Sequence, residues 1–300
     1  MASASVAAAS VAEVREAVAH AVAARTPLRV TAGGTKAAWG GPVATEAVLD
    51  VSALSGIVNY EPEELVLTAK AGTPLPEVEQ ALASRHQHLA FEPPDWGAIL
   101  GSSGVATLGG TLACNASGPR RPHAGAARDH TLGIAAVAGT GEVFKTGGRV
   151  VKNVTGYDLP KLLAGSFGTL AVMTEVSIKV MPAPETSVSV LLRGLDDAAA
   201  IAALAQAAAT HADITGLAHL PAAAARRSHV AAVASHGPAT VVRLEGLAAS
   251  VAHRVALLRY QLRPAQMATL EQADSQRLWR EVRDVALLAG NGVGCACCSA

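Results

Sequence analysis

The chain is poor in aromatic and charged side chains, and it carries no excess charge of either sign. Aromatic residues make up 3% of its 300 residues, charged residues make up 16%, and 24 basic side chains balance 24 acidic ones. Proteins that bind DNA or RNA present a basic surface to the phosphate backbone. The balanced charge therefore predicts that no nucleic acid is a partner.

Long apolar runs are also missing. No stretch is apolar for long enough to cross a bilayer, and the Ala/Ser-rich first ten residues lack the basic start of a signal peptide. We therefore expect no transmembrane segment and a cytoplasmic protein. Residues 1–10 are expected to be a frayed lead-in to a helix that begins at Val11.

Cysteine is scarce, and its distribution predicts no metal site. Cys114 stands alone, while Cys295, Cys297 and Cys298 lie together in a tail of small residues. A cytosolic chain keeps its thiols reduced, and a metal site needs a fourth ligand on a folded scaffold. An unstructured tail is the preferred interpretation of the last three.

Two common phosphate-binding signatures are absent. There is no G-x-x-x-x-G-K-[ST] motif, and the first glycine pair does not form G-x-G-x-x-G. Glycine itself is plentiful, and successive backbone N–H groups in a glycine-rich loop can form a concavity for phosphate oxygens. Ordinary turns or close packing of loops remain the alternatives. Three such loops follow one another: Thr31–Lys36, Ala106–Thr111 and Gly165–Leu170.

Two polar runs accompany these loops. Ser117-Gly118-Pro119-Arg120-Arg121 offers a hydroxyl and two cations for a ligand or an acidic partner, with a solvated surface as the alternative. Lys152–Asp158 is too polar for ordinary scaffold, although a hydrogen-bonded turn that caps the next helix would also explain it. Packing alone does not require so dense a run of polar groups.

The order of predicted elements is that of an α+β protein. Short strands and helices alternate up to a long strand that ends at Pro182, where we place a boundary between residues 1–182 and 183–300. The second part shows a β-α-β-β-α order. It lacks a closing strand in this interpretation, which would leave an open sheet edge.

Together these runs, with Phe91-Glu92-Pro93-Pro94, resemble the E subunits of bacterial glycolate oxidases, which are FAD-linked oxidases of the vanillyl-alcohol-oxidase type. The resemblance covers Val11 to Pro182. It implies a PCMH-type FAD-binding domain of two α+β subdomains over residues 1–182, and a smaller ferredoxin-like cap over 183–300. The family pattern continues beyond Asp284 into further strand. The cap is therefore interpreted as C-terminally truncated, and we expect it to be the less stable part.

The resemblance also implies which residues hold the cofactor. Residues 32–36 would hold the pyrophosphate, residues 107–110 and Ser117 the pyrophosphate and ribityl chain, and residues 165–169 with the strand to Ile178 the adenosine. Covalent members often carry His where this chain has Thr35, so FAD is expected to be non-covalent. The implied set is Ala32, Gly33, Gly34, Thr35, Lys36, Thr107, Leu108, Gly109, Gly110, Ser117, Gly165, Gly168, Thr169 and Ile178.

The implied reaction is oxidation of glycolate, or of a similar 2-hydroxy acid, to the 2-oxo acid. The implied partners are the D and F subunits of glycolate oxidase, which carry FAD and iron–sulfur clusters respectively, with peripheral attachment to the inner membrane through the complex as one option. Arg120, Arg121 or Lys152 would pair with the substrate carboxylate, and His123 or Tyr157 would handle a proton. A non-catalytic flavoprotein that serves assembly or electron relay in the complex is the second hypothesis, and a non-flavin α/β binding protein is the third.

Overall fold

The computed structural model describes residues 4–39, 45, 47–149, 156–262 and 266–289. Two short 3-10 helices, Pro62–Glu64 and Ala127–His130, accompany the regular elements. The strands are β1 (Ala4–Ala7), β2 (Leu28–Thr31), β3 (Ala47–Asp50), β4 (Ile57–Glu61), β5 (Val66–Lys70), β6 (Gln87–His88), β7 (Thr131–Ala138), β8 (Val143–Gly147), β9 (Ala171–Lys179), β10 (Met181–Pro182), β11 (Thr186–Arg193), β12 (Gly216–Leu220), β13 (Ala239–Gly246) and β14 (Met267–Leu270). The helices are α1 (Val11–Ala24), α2 (Leu75–Ala83), α3 (Gly97–Leu100), α4 (Leu108–Ala113), α5 (Arg121–Ala124), α6 (Leu159–Leu163), α7 (Asp197–Ala208), α8 (Ala222–Ala225), α9 (Ala231–Ala234), α10 (Ala248–Leu262) and α11 (Gln272–Arg283).

The described chain divides into two compact units. Unit 1 contains the residues up to Ser117 and those from Gly125 to Pro182, and unit 2 contains Gly118–Ala124 and the residues from Ala183 onward. The segment Gly118–Ala124 therefore belongs to unit 2, although a simple division of the sequence at Pro182 assigns it to the first part.

Unit 1 begins with a parallel sheet in the order β1-β3-β2. The first residues were expected to be a frayed lead-in to a helix, and that expectation was wrong, because β1 pairs in register with β3. Helix α1 starts at a capping box in which Ser10 accepts from the Glu13 N–H and the Glu13 carboxylate accepts from the Ser10 N–H. Val14 and Val18 of this helix lie in a core with Leu49.

The larger sheet of unit 1 is antiparallel and has the order β4-β5-β9-β7-β8. One face of its central strands is covered by α2 and α4 through a core that includes Leu82, Phe91 and Leu112. The glycine- and proline-rich stretch after Glu92 contains the short helices α3 and α4. Helix α4 is the element that carries the second glycine-rich loop into the core.

Unit 2 is a four-stranded antiparallel sheet in the order β12-β13-β11-β14. With α7 after β11 and α10 after β13, the chain follows the β-α-β-β-α-β path of ferredoxin-like folds. The expectation of a missing closing strand was wrong, because β14 pairs with β11 from Ser189↔Leu270 to Leu192↔Met267. The sequence pattern around Met267 was too short to reveal it.

Both faces of the unit 2 sheet are buried, as the alternation of β11 requires. Val190 and Leu192 point into a core that α7 and α10 cover. Leu191 points to the opposite core, which contains Leu278 and Trp279 of α11. The predicted α+β class is confirmed. No helix in the described part of the chain is both long and apolar enough to cross a membrane.

Candidate functional site

The three glycine-rich loops of unit 1 meet at one cavity of about 90 Å³. Thr31 and Ala32 come from the first loop, Gly109 and Gly110 from the second, and Phe167 and Gly168 from the third. The remaining lining side chains are small or apolar, and they come from Val30, Val51, Ala71, Ala113, Ala171 and Met173. Loops that lie far apart in sequence thus form one site.

A second cavity of about 390 Å³ adjoins the first and shares Val30, Gly168 and Ala171 with it. Its other walls include the C-terminal end of α1, the start of β2 and Thr169. Strand β2 lies at the edge of its sheet, and its residue Val30 lines both cavities. The two cavities are lined largely by aliphatic residues and glycine, and apolar linings are usual for cofactor sites.

The first loop is fixed to the second by direct contact of backbone with backbone. A Cβ atom at Gly33 would lie 1.7 Å from the Val105 carbonyl oxygen, and a Cβ atom at Gly104 would lie 1.8 Å from the Gly33 carbonyl oxygen. No side chain fits at either position. Close loop packing, one of the alternatives left open by the sequence, therefore explains Gly33.

Gly34 differs from Gly33, because it faces open space. It has a left-handed backbone with φ of +66°, and a Cβ atom there would meet nothing within 4 Å. Within the described residues, the backbone N–H groups of Gly33, Gly34 and Thr35 donate to no backbone acceptor. Successive backbone donors without a backbone acceptor are the arrangement that an anion requires, and these three follow directly on Ala32, which lines the smaller cavity.

Lys36 adds a cation to this loop. Its ammonium group donates to Thr35 Oγ1 at 3.3 Å. Burial lowers the pKa of Lys36, while the nearby Cys114 and Asp95 act in the opposite direction. Burial raises the pKa of the Cys114 thiol. In both side chains burial thus favours the neutral form.

The second loop is built into the start of α4. The Thr107 side chain caps the helix by accepting from the Gly110 N–H at 3.3 Å. Gly109 lies against Ala71, where a Cβ atom would approach the Ala71 Cβ to 2.6 Å. Leu108 is fully buried in the core, so its side chain supports the loop from behind and does not reach the cavity.

The third loop is attached to the other end of α4. The Gly165 and Phe167 N–H groups donate to the carbonyls of Leu112 and Ala113, at 3.0 and 2.8 Å. Gly165 and Gly168 both have positive φ, which explains why glycine is needed there. The Ser166 hydroxyl is buried and has no hydrogen-bond partner within the described residues, so a ligand could satisfy it.

Three predicted cofactor residues have other tasks in the structure. Ser117 Oγ donates to the Asn115 carbonyl and accepts from the Ala127 N–H. Thr169 Oγ1 donates to the Ser166 carbonyl at 2.6 Å, although Thr169 also lines the larger cavity. Ile178 is fully buried in the core of the large sheet, so its side chain stabilises the strand and does not face the loops.

Arg120 is not available as a substrate anchor in this structure. Its guanidinium donates two hydrogen bonds, at 2.9 and 2.8 Å, to the carboxylate of Glu245 within unit 2. Arg243 lies 3.4 Å from the same carboxylate, and its guanidinium carbon lies 4.3 Å from the centre of the Trp279 ring. The pairing of Arg120 with a substrate carboxylate stays a prediction, and in this arrangement the charge of Arg120 is already used by Glu245.

Burial alone would raise the pKa of Glu245. The hydrogen bonds from Arg120 and the charges of Arg243 and Arg120 outweigh burial, and the pKa of Glu245 falls from 4.5 to about 2. The carboxylate is thus ionised throughout the physiological range. Its role is to neutralise two buried arginines, which the sequence did not indicate.

The other catalytic candidates stay predictions, and the structure gives the surroundings of three of them. Arg121 is exposed in α5, and His123 Nε2 lies 3.0 Å from Asp213 Oδ1. Tyr157 is 92% exposed. Lys152 lies outside the described residues, as do Cys295, Cys297 and Cys298. The described residues contain no cluster of three or more potential metal ligands.

The ring contacts of three aromatic residues near the glycine-rich loops could not be predicted from the sequence. Trp39 contacts both Trp96 and Phe167, which lie in different parts of the sequence. Their only signal in the sequence was rarity, because the chain contains three tryptophans and three phenylalanines. Three of these six side chains lie beside the glycine-rich loops.

Comparisons with known proteins agree with this geometry. A family model described as an FAD binding domain matches residues 2–147. Glycolate oxidase subunit GlcE of Escherichia coli (strain K12) is 48% identical over 174 residues, which are 58% of this chain and 48% of that protein. Glycolate oxidase subunit GlcD of Bacillus subtilis (strain 168) is 34% identical over 56% of this chain and 34% of that protein. D-lactate dehydrogenase of Anaerostipes hadrus is 34% identical over 53% of this chain and 31% of that protein.

The matched part thus spans about half of the Escherichia coli relative and about a third of the other two. Solved structures share the fold at low identity. An alkyldihydroxyacetonephosphate synthase matches with a TM-score of 0.72 at 20% identity, covering 95% of this chain and 54% of that chain. p-Cresol methylhydroxylase matches with a TM-score of 0.68 at 16% identity, covering 96% and 64%. The predicted PCMH-type fold and the resemblance to glycolate oxidase E subunits are confirmed.

Proposed function

Because residues 2–147 match an FAD binding domain, we propose that this chain is the FAD-binding subunit of a complex that oxidises glycolate or a related 2-hydroxy acid. The observation that carries the proposal is the meeting of three glycine-rich loops at one cavity of unit 1. We propose that residues 1–182 hold FAD and that residues 183–300 act as the cap domain, with Gly118–Ala124 as part of the cap.

The residues present suit a dinucleotide cofactor. The N–H groups of Gly33, Gly34 and Thr35, which lack a backbone acceptor in the described part of the chain, suit the pyrophosphate. The open space at Gly34 leaves room for its oxygens. The buried Ser166 hydroxyl lacks a partner among the described residues and suits a ribose or ribityl hydroxyl. The adjoining cavity of about 390 Å³ offers an aliphatic surface for the adenosine.

Each element of the chain has a distinct task in this proposal. The first loop binds the pyrophosphate through its backbone, and Lys36 supplies a nearby positive charge. Helix α4 holds the second and third loops in place from its two ends. When bound, FAD supplies the hydride-accepting chemistry, while the protein supplies binding, orientation and electrostatics.

We propose that the cofactor is bound without a covalent bond. The position after the first glycine pair is Thr35, which is buried and accepts a hydrogen bond from Lys36. A threonine hydroxyl offers no imidazole nitrogen for attachment to the flavin. Denaturation should therefore release all flavin into the supernatant after precipitation of the protein.

The proposed substrate class and the D subunit as partner are supported by the names of the relatives, while the F subunit and the location are proposals from the family resemblance. These relatives carry names of glycolate oxidase subunits and of D-lactate dehydrogenase, which supports a small 2-hydroxy acid as substrate. We propose that a D subunit with FAD and an F subunit with iron–sulfur clusters complete the complex. We propose that the complex lies in the cytoplasm. Peripheral attachment to the inner membrane through the complex is the alternative location to test.

A second candidate is a non-catalytic flavoprotein subunit that serves assembly or electron relay. One observation favours it specifically. Arg120, a candidate for binding the substrate carboxylate, is held in a buried pair with Glu245. Arg121 and Tyr157 are both solvent-exposed.

A visible absorption spectrum separates the two candidates. The purified chain should show flavin bands, or gain them when FAD is added. Bleaching by anaerobic glycolate, with D-lactate as the comparison substrate, would indicate turnover by this subunit. Bands that persist with the chain alone but bleach in the assembled complex would indicate the relay role. A lack of bleaching in either setting would refute the proposed substrate class.

A further inference from the structure

Three aromatic side chains from separate loops meet in unit 1 next to the loop cavity. The rings of Trp39 and Trp96 lie edge to face, with centroids 4.7 Å apart and an interplanar angle of 74°. The rings of Trp39 and Phe167 also lie edge to face, at 5.5 Å and 86°. Both geometries are favourable for aromatic pairs. Trp39 is the ring that the two contacts share.

Trp39 is firmly joined to the first glycine-rich loop. The Ala37 N–H donates to the Gly34 carbonyl at 3.3 Å, and the Trp39 N–H donates to the Lys36 carbonyl at 3.0 Å. Residues 34–39 therefore form a compact turn. The backbone that carries the Trp39 ring is thus continuous with the turn that begins at Gly34.

Phe167 is joined just as firmly to the third loop. Its backbone adopts a left-handed conformation with φ of 53°, which is costly for a residue with a bulky side chain. Its N–H donates to the Ala113 carbonyl at 2.8 Å, and its half-exposed side chain lines the cavity. The contact with Trp39 compensates for a backbone that phenylalanine adopts reluctantly.

The backbone contacts connect the first loop to the second and the third loop to α4. The Trp39–Phe167 ring contact joins the first loop directly to the third. We propose that Trp39 is a positioning residue, whose ring holds the first and third loops at the separation that FAD needs before the cofactor arrives. This inference rests on the proposed function, in which FAD occupies the cavity between these loops.

The test is a fluorescence titration of the flavin-free full chain with FAD. Trp39→Ala should weaken FAD binding roughly tenfold, which is the size expected when one aromatic contact no longer organises the site beforehand. Trp39→Phe retains a ring and should bind within about twofold of the unsubstituted chain, whereas Trp39→Leu retains only bulk and should behave like Trp39→Ala. A role limited to filling space would make Leu and Phe equivalent.

A double-substitution cycle with Phe167→Ala examines the contact itself. Because the two rings touch, the loss of FAD affinity in the double variant should be smaller than the sum of the losses in the two single variants. Tyr260→Ala removes an exposed aromatic ring in unit 2 and serves as the matched control, with unchanged affinity. If Trp39→Ala unfolds the chain, the comparison of Phe with Leu still decides the question.

Two results would overturn the inference. One is a folded Trp39→Ala or Trp39→Leu variant that binds FAD as tightly as the unsubstituted chain. The other is full additivity of the Trp39 and Phe167 substitutions. Failure of the unsubstituted chain to bind FAD at all would instead refute the proposed function, so the two failures are distinguishable.

Discussion

Units 1 and 2 differ in what surrounds one conspicuous polar group in each. In the first glycine-rich loop of unit 1, the backbone N–H groups of residues 33–35 donate to no backbone acceptor within the described chain. In unit 2 the Glu245 carboxylate is buried, with Arg120 and Arg243 beside it. The N–H groups of the loop keep their hydrogen-bonding capacity, whereas the carboxylate already uses its own.

The difference shows how a binding surface is distinguished from scaffold. A buried charge that is fully paired contributes to the fold, because its hydrogen-bonding capacity is already used. A backbone donor beside a cavity keeps that capacity for a ligand. By this criterion the candidate site lies at the glycine-rich loops, and the Arg120 segment belongs to the framework of unit 2.

The largest expected effect comes from neutralising the shared carboxylate of unit 2. Glu245→Gln leaves two buried arginines without a counter-ion, and we expect it to lower the free energy of unfolding by about 3–5 kcal/mol. Asp213→Asn removes an exposed partner of His123 and should cost less than about 0.5 kcal/mol. Chemical denaturation can be followed with Trp279, the tryptophan in unit 2, in a Trp39→Phe/Trp96→Phe background. Equal losses for both variants would contradict the framework role.

The second prediction concerns pH. The pKa of Glu245 is about 2 in the folded chain, against an ordinary value of 4.5, so the folded state favours the ionised form. The resulting stabilisation is fully present above about pH 4.5 and is lost as the pH falls toward 2. At about 1.4 kcal/mol for each unit of pKa shift, it amounts to roughly 3 kcal/mol. In Glu245→Gln the free energy of unfolding should therefore depend less on pH between about 4.5 and 2 than it does in the unsubstituted chain. An unchanged pH dependence would contradict this role of Glu245.

The third prediction contrasts two glycines of unit 1. Gly33→Ala places a Cβ atom 1.7 Å from the Val105 carbonyl oxygen, so the first two loops must separate. We expect a loss of about 2–3 kcal/mol in stability and a large loss of FAD affinity. Gly148→Ala, where a Cβ atom meets nothing within 4 Å, is the matched control. Thermal melts and FAD titrations of both variants make the comparison.

The smallest expected effects come from two helix caps, one in each unit. The Asp158 side chain accepts from the Lys161 N–H at the start of α6, and the Asp196 side chain accepts from the Ala199 N–H at the start of α7. Alanine at either position should cost about 1 kcal/mol. The Asp158→Ala variant should perturb unit 1, and Asp196→Ala should perturb unit 2. Hydrogen exchange can assign each change to its unit, and a change spread equally over both would contradict their independence.

Much of this comparison could be predicted from the sequence. The sequence predicted the long strand that ends near Pro182 and the β-α-β-β-α order after it, and its glycine-rich loops indicated where the candidate site lies. Strand β14 was missed because it has only four residues, of which Leu270 alone is buried, and because it follows a helix closely. Strand β1 was missed because its Ala/Ser composition carries no strand preference.

The errors at the site have one physical cause. Whether a charged side chain is free depends on partners that lie far away in sequence, and Glu245 is 125 residues from Arg120. Gly33 and Gly34 are adjacent, yet one packs against backbone and the other faces open space. The sequence indicated glycine at both positions but not its purpose. The aromatic contact of Trp39 was likewise invisible until the loops were brought together.

The central claim is that FAD binds at the glycine-rich loops of unit 1. Its most direct test is a titration of the flavin-free chain with FAD, in which the loss of flavin fluorescence is the measured signal. The account predicts one FAD per chain, binding abolished or greatly weakened by Gly33→Ala, and binding retained by Gly148→Ala and Asp196→Ala. A chain that remains folded but shows no saturable binding would contradict it. Equal binding by Gly33→Ala and Gly148→Ala would also contradict it, because the site would then not lie at these loops.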